Sequence, residues 1–76
     1  MNFTPIPEGC FIKLRERLRT IKGQRRWRSA DGERIYTWDG LHGEVEVFNK
    51  RGRHIAVYDC DENLIKPAVK SRKIDV

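Results

Sequence analysis

The chain has 76 residues and a mass of 9.0 kDa, with 38% hydrophobic and 36% charged residues. This length allows one small domain, residues 1–76, and excludes doubly wound sheets, TIM barrels and any separate cofactor domain. Lysine and arginine number 16 against 11 acidic residues, which gives a net charge of +5 at pH 7. A basic balance predicts a polyanionic partner. Nucleic acid is favoured over a membrane, since no run approaches the roughly 20 apolar residues of a spanning helix.

The first predicted element is a helix over residues 8–22. Apolar residues recur at helical spacing from Phe11 to Ile21, and Gly23 stands where a helix C-terminus is expected. Basic residues occupy the other faces of this segment, which are either solvated or bind phosphate. Cys10 lies in the same segment, and Cys60 lies far from it along the chain. Two cysteines without a C-x-x-C pair favour buried thiols in a reducing compartment, with a single long-range bridge as the alternative.

After the predicted helix the pattern changes to short strands. Strand-favouring or alternating residues occupy positions 25–28, 34–38, 44–48, 54–58 and 64–66. Turn sequences separate them, among them Asp31-Gly32, Asn49-Lys50-Arg51-Gly52 and Asp61-Glu62-Asn63. The predicted fold is therefore α+β, with one N-terminal helix packed on a small, highly twisted antiparallel β-sheet. The sheet spans about residues 24–66, and a basic tail spans residues 67–76.

Charge is distributed unevenly along the chain. Eight basic residues oppose a single acidic residue between Lys13 and Arg28, whereas eight acidic residues lie between Ala30 and Ile65. The tail is basic again. A carboxylate-rich centre is a poor way to build a positive surface, so we expect these acidic residues to serve a purpose of their own.

The stretch of residues 38–46 carries the candidate chemistry. On an unbroken strand, His42, Glu44 and Glu46 project from one face at intervals of about 7 Å. Asp39 precedes a glycine, where a kink or bulge brings it to the same face. Clustered carboxylates repel each other, so such a group does not help folding. It does suit RNA cleavage, which needs a base for the ribose 2′-hydroxyl and an acid for the departing 5′-oxygen.

Other interpretations of the same residues stay open. Glu44 and Glu46 are also typical of the solvent-exposed face of an amphipathic strand. A histidine before a glycine, as at His42, is often only a turn residue. A metal site built from Asp39, His42 and Glu46 is a weaker alternative, because three mixed ligands at loose spacing are not specific. Composition and spacing alone indicate a basic RNA-binding domain, with or without nuclease activity.

The run W-D-x-x-H-G-E-x-E at residues 38–46 is part of a longer similarity. It follows Arg25-Arg26-Trp27-Arg28, an Asp-Gly turn and Ile35-Tyr36, and it precedes Val47-Phe48-Asn49-Lys50-Arg51-Gly52 and a basic closing segment. From about Gln24 to the C-terminus, the chain resembles the cytotoxic ribonuclease domain of the ribosome-inactivating colicins and cloacin. The resemblance implies a toxin that cleaves small-subunit (16S) ribosomal RNA at the decoding centre, without a metal or other cofactor.

The resemblance also indicates the site residues. The family's catalytic residues fall on Asp39, His42, Glu46 and Arg72, with Glu44 as a supporting residue. We expect Glu46 to be the general base and His42 the general acid. Asp39 would orient His42 and keep it protonated, and Arg72 would stabilise the phosphate in the transition state.

Further residues are candidates for binding the RNA. Five basic residues are predicted to contact phosphates: Arg25, Arg26, Arg28, Lys70 and Lys73. Four aromatic residues either stack on a splayed base or pack in the core: Trp27, Tyr36, Trp38 and Tyr58.

The resemblance implies two partners, the ribosome and a tight acidic immunity protein or antitoxin. It also implies action in the bacterial cytoplasm, either as a stand-alone toxin or as an excised toxin domain delivered from another cell. A non-catalytic RNA- or ribosome-binding module is the main alternative. A third is an intact fold that has lost its activity and only binds its partner.

Overall fold

Residues 3–76 are described by the computed structural model of the protein. Six strands form one antiparallel sheet, and their order in space follows the chain. The strands are β1 (Glu16–Ile21), β2 (Gln24–Arg28), β3 (Arg34–Asp39), β4 (Glu44–Asn49), β5 (His54–Tyr58) and β6 (Leu64–Pro67). One 3-10 turn, Phe11–Leu14, precedes them. Within residues 3–76 no helix has the length and apolar character needed to cross a membrane.

The predicted helix over residues 8–22 is wrong, and with it the α+β class. Phe11–Leu14 makes only a 3-10 turn, after which Arg15 is extended with φ −95° and ψ 165°. β1 then pairs with β2 as a hairpin, and its turn consists of Lys22 and Gly23 with φ values of 53° and 76°. Positive φ at both central residues suits a two-residue hairpin turn. Cross-strand pairing therefore overrides the helical spacing of the apolar residues.

The five strands predicted after this segment are confirmed as β2 to β6, and the antiparallel sheet is confirmed with them. Side-chain oxygens of Asp31, Asn49 and Asp59 accept backbone N–H groups two or four residues further on. Aspartate and asparagine stabilise turns in this way because their short side chains mimic a backbone acceptor. The turns predicted from these sequences therefore depend on hydrogen bonds between residues close together along the chain.

One face of the sheet packs against the N-terminal segment. The buried core on this face consists of Ile6, Cys10, Phe11, Ile12, Trp27, Tyr36, Val45, Val47 and Ala56. Cys10 and Cys60 form a disulfide, with Cα atoms 4.4 Å apart, so the favoured prediction of two free thiols is wrong. The backbone N–H of Phe11 donates to the Cys60 carbonyl at 3.1 Å. The N-terminal segment is therefore attached to the turn between β5 and β6.

The C-terminal tail contacts residues of the opposite face. The N–H of His54 donates to the Arg72 carbonyl at 3.0 Å, and the N–H of Ile74 donates to the Gly52 carbonyl at 2.8 Å. Gly52 has φ 87°, and a β-carbon at this position would collide with the Ile74 carbonyl oxygen. The predicted basic tail is thus part of the folded domain, and it reaches the face on which the acidic side chains lie.

Candidate active site

Asp39 ends β3 and organises the turn that leads into β4. Its Oδ1 accepts the backbone N–H of Leu41 at 3.1 Å and that of His42 at 3.2 Å. Its Oδ2 lies 2.7 Å from His42 Nδ1. Gly43 closes the turn with φ 67° and donates its N–H to the Asp39 carbonyl at 2.8 Å. A tight turn, and no bulge, therefore brings the carboxylate and the imidazole together.

The Asp39 carboxylate is held in its charged form. Partial burial by itself raises the pKa of Asp39, but hydrogen bonds from the ring and backbone of His42 and from the backbone of Leu41 outweigh this effect. The pKa of Asp39 therefore lies below its ordinary value of 3.8. Because a carboxylate only accepts hydrogen bonds, His42 Nδ1 carries the proton that they share. The His42 side chain is 58% exposed, so the rest of its ring can reach a substrate.

Glu46 is the buried carboxylate of the site, with a side chain that is 12% exposed. Its Oε1 accepts a hydrogen bond from Arg72 Nη1 at 2.8 Å, and its Oε2 lies 2.6 Å from His54 Nε2. On β4 it stands opposite Thr37 of β3 and Val57 of β5. Glu46 therefore lies in the middle of the sheet, and contacts to both of its oxygens restrict the orientation of the carboxylate.

Glu44 lies two residues before Glu46 on β4 and faces the same side of the sheet. It pairs with Lys66 Nζ at 3.0 Å and stands opposite Asp39 of β3. Asp39, His42 and Glu44 each offer one ligand atom, and these atoms lie within 4.8 Å of one another. The possible ligands of a divalent cation are therefore Asp39, His42 and Glu44, whereas the sequence analysis had Glu46 as the third ligand.

A single cleft of about 530 Å³ joins these residues. The polar side chains that line it include Asp39, His42, Glu44, Glu46, His54 and Arg72. They come from the end of β3, the following turn, β4, β5 and the tail, with Phe3, Trp38 and Leu41 among the apolar side chains of the lining. The structure thus brings together the four side chains with predicted catalytic roles and the supporting glutamate. The roles themselves stay predictions.

Four of the five predicted phosphate-binding residues are exposed: Arg25, Arg28, Lys70 and Lys73. Arg25 borders a second depression of about 400 Å³, which shares Trp38 and Gly40 with the cleft. Lys70 and Lys73 lie on the tail beside Arg72. The lining of the cleft does not include Arg25, Lys70 or Lys73. The Arg25 guanidinium lies 5.8 Å from the centroid of the Trp27 ring, and Lys73 lines another depression beside Arg26. Their contact with RNA stays a prediction.

Arg28 and the fifth predicted phosphate-binding residue, Arg26, have hydrogen-bond partners within the protein. Arg28 is exposed, but its Nη2 donates to both carboxylate oxygens of Glu16 at 2.9 and 2.7 Å. Arg26 is buried, and its guanidinium donates to the backbone carbonyl of Asp75. The structure thus places Arg26 under the tail, where it holds the C-terminus, and the prediction that it contacts RNA is corrected.

Of the aromatic residues predicted to stack on a base or pack in the core, Tyr36 and Trp27 are buried, whereas Trp38 lines the cleft. Tyr36 is 1% exposed and packs edge-on against Phe11, with ring centroids 5.1 Å apart. Trp27 is buried as well. Core packing therefore holds for both, and the prediction that Tyr36 stacks on a base is corrected. Trp38 is half-buried and lines the cleft, with its indole N–H bound to the Thr4 carbonyl at 2.8 Å, so it stays a candidate for stacking.

His54 is a residue of the cleft that sequence analysis missed. It was predicted only as the first residue of a strand, yet it contacts Glu46 directly. A histidine in an otherwise apolar strand was the one available signal. It did not identify the side of the sheet on which the imidazole lies.

The family model described as Cytotoxic matches residues 11–75 of the chain. Because this match covers most of the sequence, the protein belongs to that family, the cytotoxic domain of colicin- and cloacin-type toxins. The match extends the similarity to the segment before Gln24. A comparison with curated proteins finds no match. Family membership thus confirms the broad class of toxin that the resemblance implied.

Proposed function

We propose that this protein is a toxin endoribonuclease that cleaves small-subunit (16S) ribosomal RNA at the decoding centre and so stops translation. The proposal is carried by one observation, the cleft that holds an Asp39–His42 pair and a buried Glu46 bound to Arg72. Membership of the Cytotoxic family supports it. The ribosome in the bacterial cytoplasm is the proposed target, and an acidic immunity protein or antitoxin is the proposed second partner.

Glu46 acts as the general base in this proposal. Its carboxylate removes the proton of a ribose 2′-hydroxyl, and the 2′-oxygen then attacks the adjacent phosphorus. Each carboxylate oxygen has a second acceptor site beyond the hydrogen bond that it already makes, so the carboxylate can still take a proton. The contacts with Arg72 and His54 hold the base in one orientation, which favours a productive geometry.

His42 acts as the general acid. As the bond between phosphorus and the 5′-oxygen breaks, the imidazolium gives its proton to the departing oxygen. The products are a 2′,3′-cyclic phosphate and a 5′-hydroxyl end. The charged Asp39 carboxylate, 2.7 Å from Nδ1, accepts a hydrogen bond from the ring and orients it.

Arg72 stabilises the charge that develops on the phosphate oxygens. Its guanidinium has five N–H donors, and one nitrogen is engaged with Glu46. The side chain is 45% exposed at the cleft, so other donors can face the phosphate. Preorganised donors aimed at developing charge are among the largest contributions to catalysis.

Cleavage of intact ribosomes tests the proposal. Wild-type protein should release one discrete 3′-terminal fragment of small-subunit RNA. His42→Ala and Glu46→Gln should each slow cleavage by about 100-fold or more, since each removes one proton-transfer group. Glu33→Gln is the matched control, because it makes the same chemical change at an exposed ion pair in the turn between β2 and β3. Circular dichroism spectra should be the same for all four proteins.

A reaction that depends on a transition metal is the competing outcome, because Asp39, His42 and Glu44 form a possible cation site. The assay is therefore repeated with protein stripped of metal and with a chelator selective for transition metals, which leaves the Mg²⁺ that ribosomes need. We expect the same cleavage rate. Loss of cleavage that added Zn²⁺ or Mn²⁺ restores would overturn the acid–base assignment, and a wild-type protein that only binds ribosomes would be a binding module.

A further inference from the structure

His54 is a buried histidine for which the proposed reaction steps have no proton-transfer role. Its side chain has no exposed surface. Nε2 lies 2.6 Å from Glu46 Oε2, and Nδ1 accepts the backbone N–H of Val69 at 2.9 Å. The backbone N–H of His54 donates to the Arg72 carbonyl, and the N–H of Arg72 donates to the Val69 carbonyl, both at 3.0 Å. One residue therefore contacts the proposed base and both ends of the turn that carries Arg72.

These hydrogen bonds determine where the ring proton lies. A backbone N–H is a donor only, so Nδ1 of His54 must accept and carries no proton. The ring is then neutral, its proton lies on Nε2, and Nε2–H donates to the Glu46 carboxylate. Glu46 thus has a neutral donor on Oε2 and the cationic Arg72 on Oε1.

A register shift in the hairpin of β4 and β5 gives His54 this position. Val47 stands opposite Ala56, but the next residue of β4, Phe48, stands opposite His54. Ile55 is therefore the extra residue of a β-bulge. With regular pairing, the period of two would turn the imidazole to the core face, away from the proposed base.

We propose that His54 is a positioning residue, whose Nε2–H orients the general base while its Nδ1 holds the turn that presents Arg72. This inference rests on the proposed ribonuclease function. The two ring nitrogens have separate tasks, and this makes their contributions separable. Nε2–H acts on the rate of the chemical step, and Nδ1 acts on the position of the tail and its lysines.

Two substitutions separate the two nitrogens. In His54→Asn the amide oxygen takes the place of Nδ1 and can accept the Val69 N–H, but nothing reaches Glu46. In His54→Gln the amide nitrogen takes the place of Nε2 and can donate to Glu46, but the Val69 N–H loses its acceptor. Single-turnover cleavage of ribosomes is measured for both variants over a range of ribosome concentrations.

We expect His54→Asn to lower the rate constant at saturation by about 10- to 100-fold, the effect of losing one hydrogen bond to a charged group. Its half-saturating ribosome concentration should stay close to the wild-type value. His54→Gln should recover at least part of the rate and show a raised half-saturating concentration. Ile12→Ala removes a buried side chain on the other side of the sheet, so it should reduce stability and leave the rate constant unchanged.

Nuclear magnetic resonance of ¹⁵N-histidine protein tests the tautomer without any assay of activity. The chain has two histidines, and the His54 variants identify its signals. We expect an unprotonated Nδ1 and a protonated Nε2 for His54. A protonated Nδ1 in an active protein, a wild-type rate in His54→Asn, or equal losses in both variants would overturn the role of His54. A wild-type protein with the expected tautomer and no ribosomal RNA cleavage would instead overturn the proposed function.

Discussion

Arg72 and His54 contact the same carboxylate but differ in chemistry. Arg72 is cationic and 45% exposed, so it can contact Glu46 and a phosphate together. His54 is neutral and has no exposed surface, so it can only orient the carboxylate. The cation of the proposed reaction and the positioning residue are thus distinguished by exposure and by charge.

Substitution of Arg72 by lysine tests the cation. A guanidinium can contact two oxygens with its planar fork, whereas an ammonium is a point charge on a flexible stem. Arg72→Lys keeps the net charge, so ribosome binding should stay near the wild-type value. Single-turnover cleavage at saturation should be about 100-fold slower, the usual effect of losing one preorganised transition-state contact.

Lys70→Ala and Lys73→Ala are the matched comparison on the same tail. Both side chains are exposed, so these variants should weaken ribosome binding and leave the rate constant at saturation unchanged. A wild-type rate in Arg72→Lys together with an inactive Lys73→Ala would assign the cation to Lys73. Three variants indistinguishable from the wild type would remove the tail from the site.

At the scale of elements, the described part of the N-terminal segment, residues 3–15, forms one 3-10 turn and has no strand or long helix that attaches it to the sheet. Ile6, Phe11 and Ile12 cover the core face by side-chain packing, and the disulfide between Cys10 and Cys60 connects them to the end of β5. A thin segment of this kind gains much of its stability from a crosslink, because a small domain buries little apolar surface.

Removal of the disulfide tests its contribution to stability. The bridge spans 50 residues, and the loop-closure entropy for this length is about 4 kcal/mol. Cys10→Ala combined with Cys60→Ala should lower the free energy of unfolding in urea by up to about that amount. A reductant should destabilise the wild type similarly and leave the double variant unaffected. A wild type insensitive to reductant would contradict the pairing.

At the scale of the whole molecule, the charges are separated in space as well as along the chain. Carboxylates line the cleft, while Arg25 is exposed on β2 and Lys70 and Lys73 are exposed on the tail. In the proposed function, the exposed cations attract the RNA backbone, while the acidic groups of the cleft meet the ribose and phosphate that react.

The salt dependence of ribosome binding tests this arrangement. Each phosphate contact releases counterions, so Arg25→Gln should reduce the slope of log affinity against log salt by about one. The double change Arg25→Gln with Arg26→Gln should also reduce it by about one, because Arg26 is buried under the tail. Arg51→Gln removes an equal charge from the turn between β4 and β5 and is the control. A reduction of about two in the double variant would contradict the burial of Arg26.

The sequence by itself determined the features that depend on neighbours along the chain. The turns at Asp31, Asn49 and Asp59 were predictable because each side chain binds backbone N–H groups a few residues away. The pairing of Asp39 with His42 was within reach for the same reason, since three positions separate them in one turn. These hydrogen bonds join residues that are at most four positions apart along the chain.

Tertiary structure decided the features that depend on strand pairing and chain crossing. Leu18 and Ile21 are the partly buried residues of positions 16–21, and their spacing of three suits a helix, but pairing with β2 made this segment a strand. A one-residue bulge turned His54 toward Glu46, and no local signal marks such a shift. Arg72 meets Glu46 from 26 positions away, because the tail returns across the sheet. The register of paired strands and the return of the tail depend on contacts between segments that are distant along the chain. The free energy of these contacts is gained only when the chain is folded.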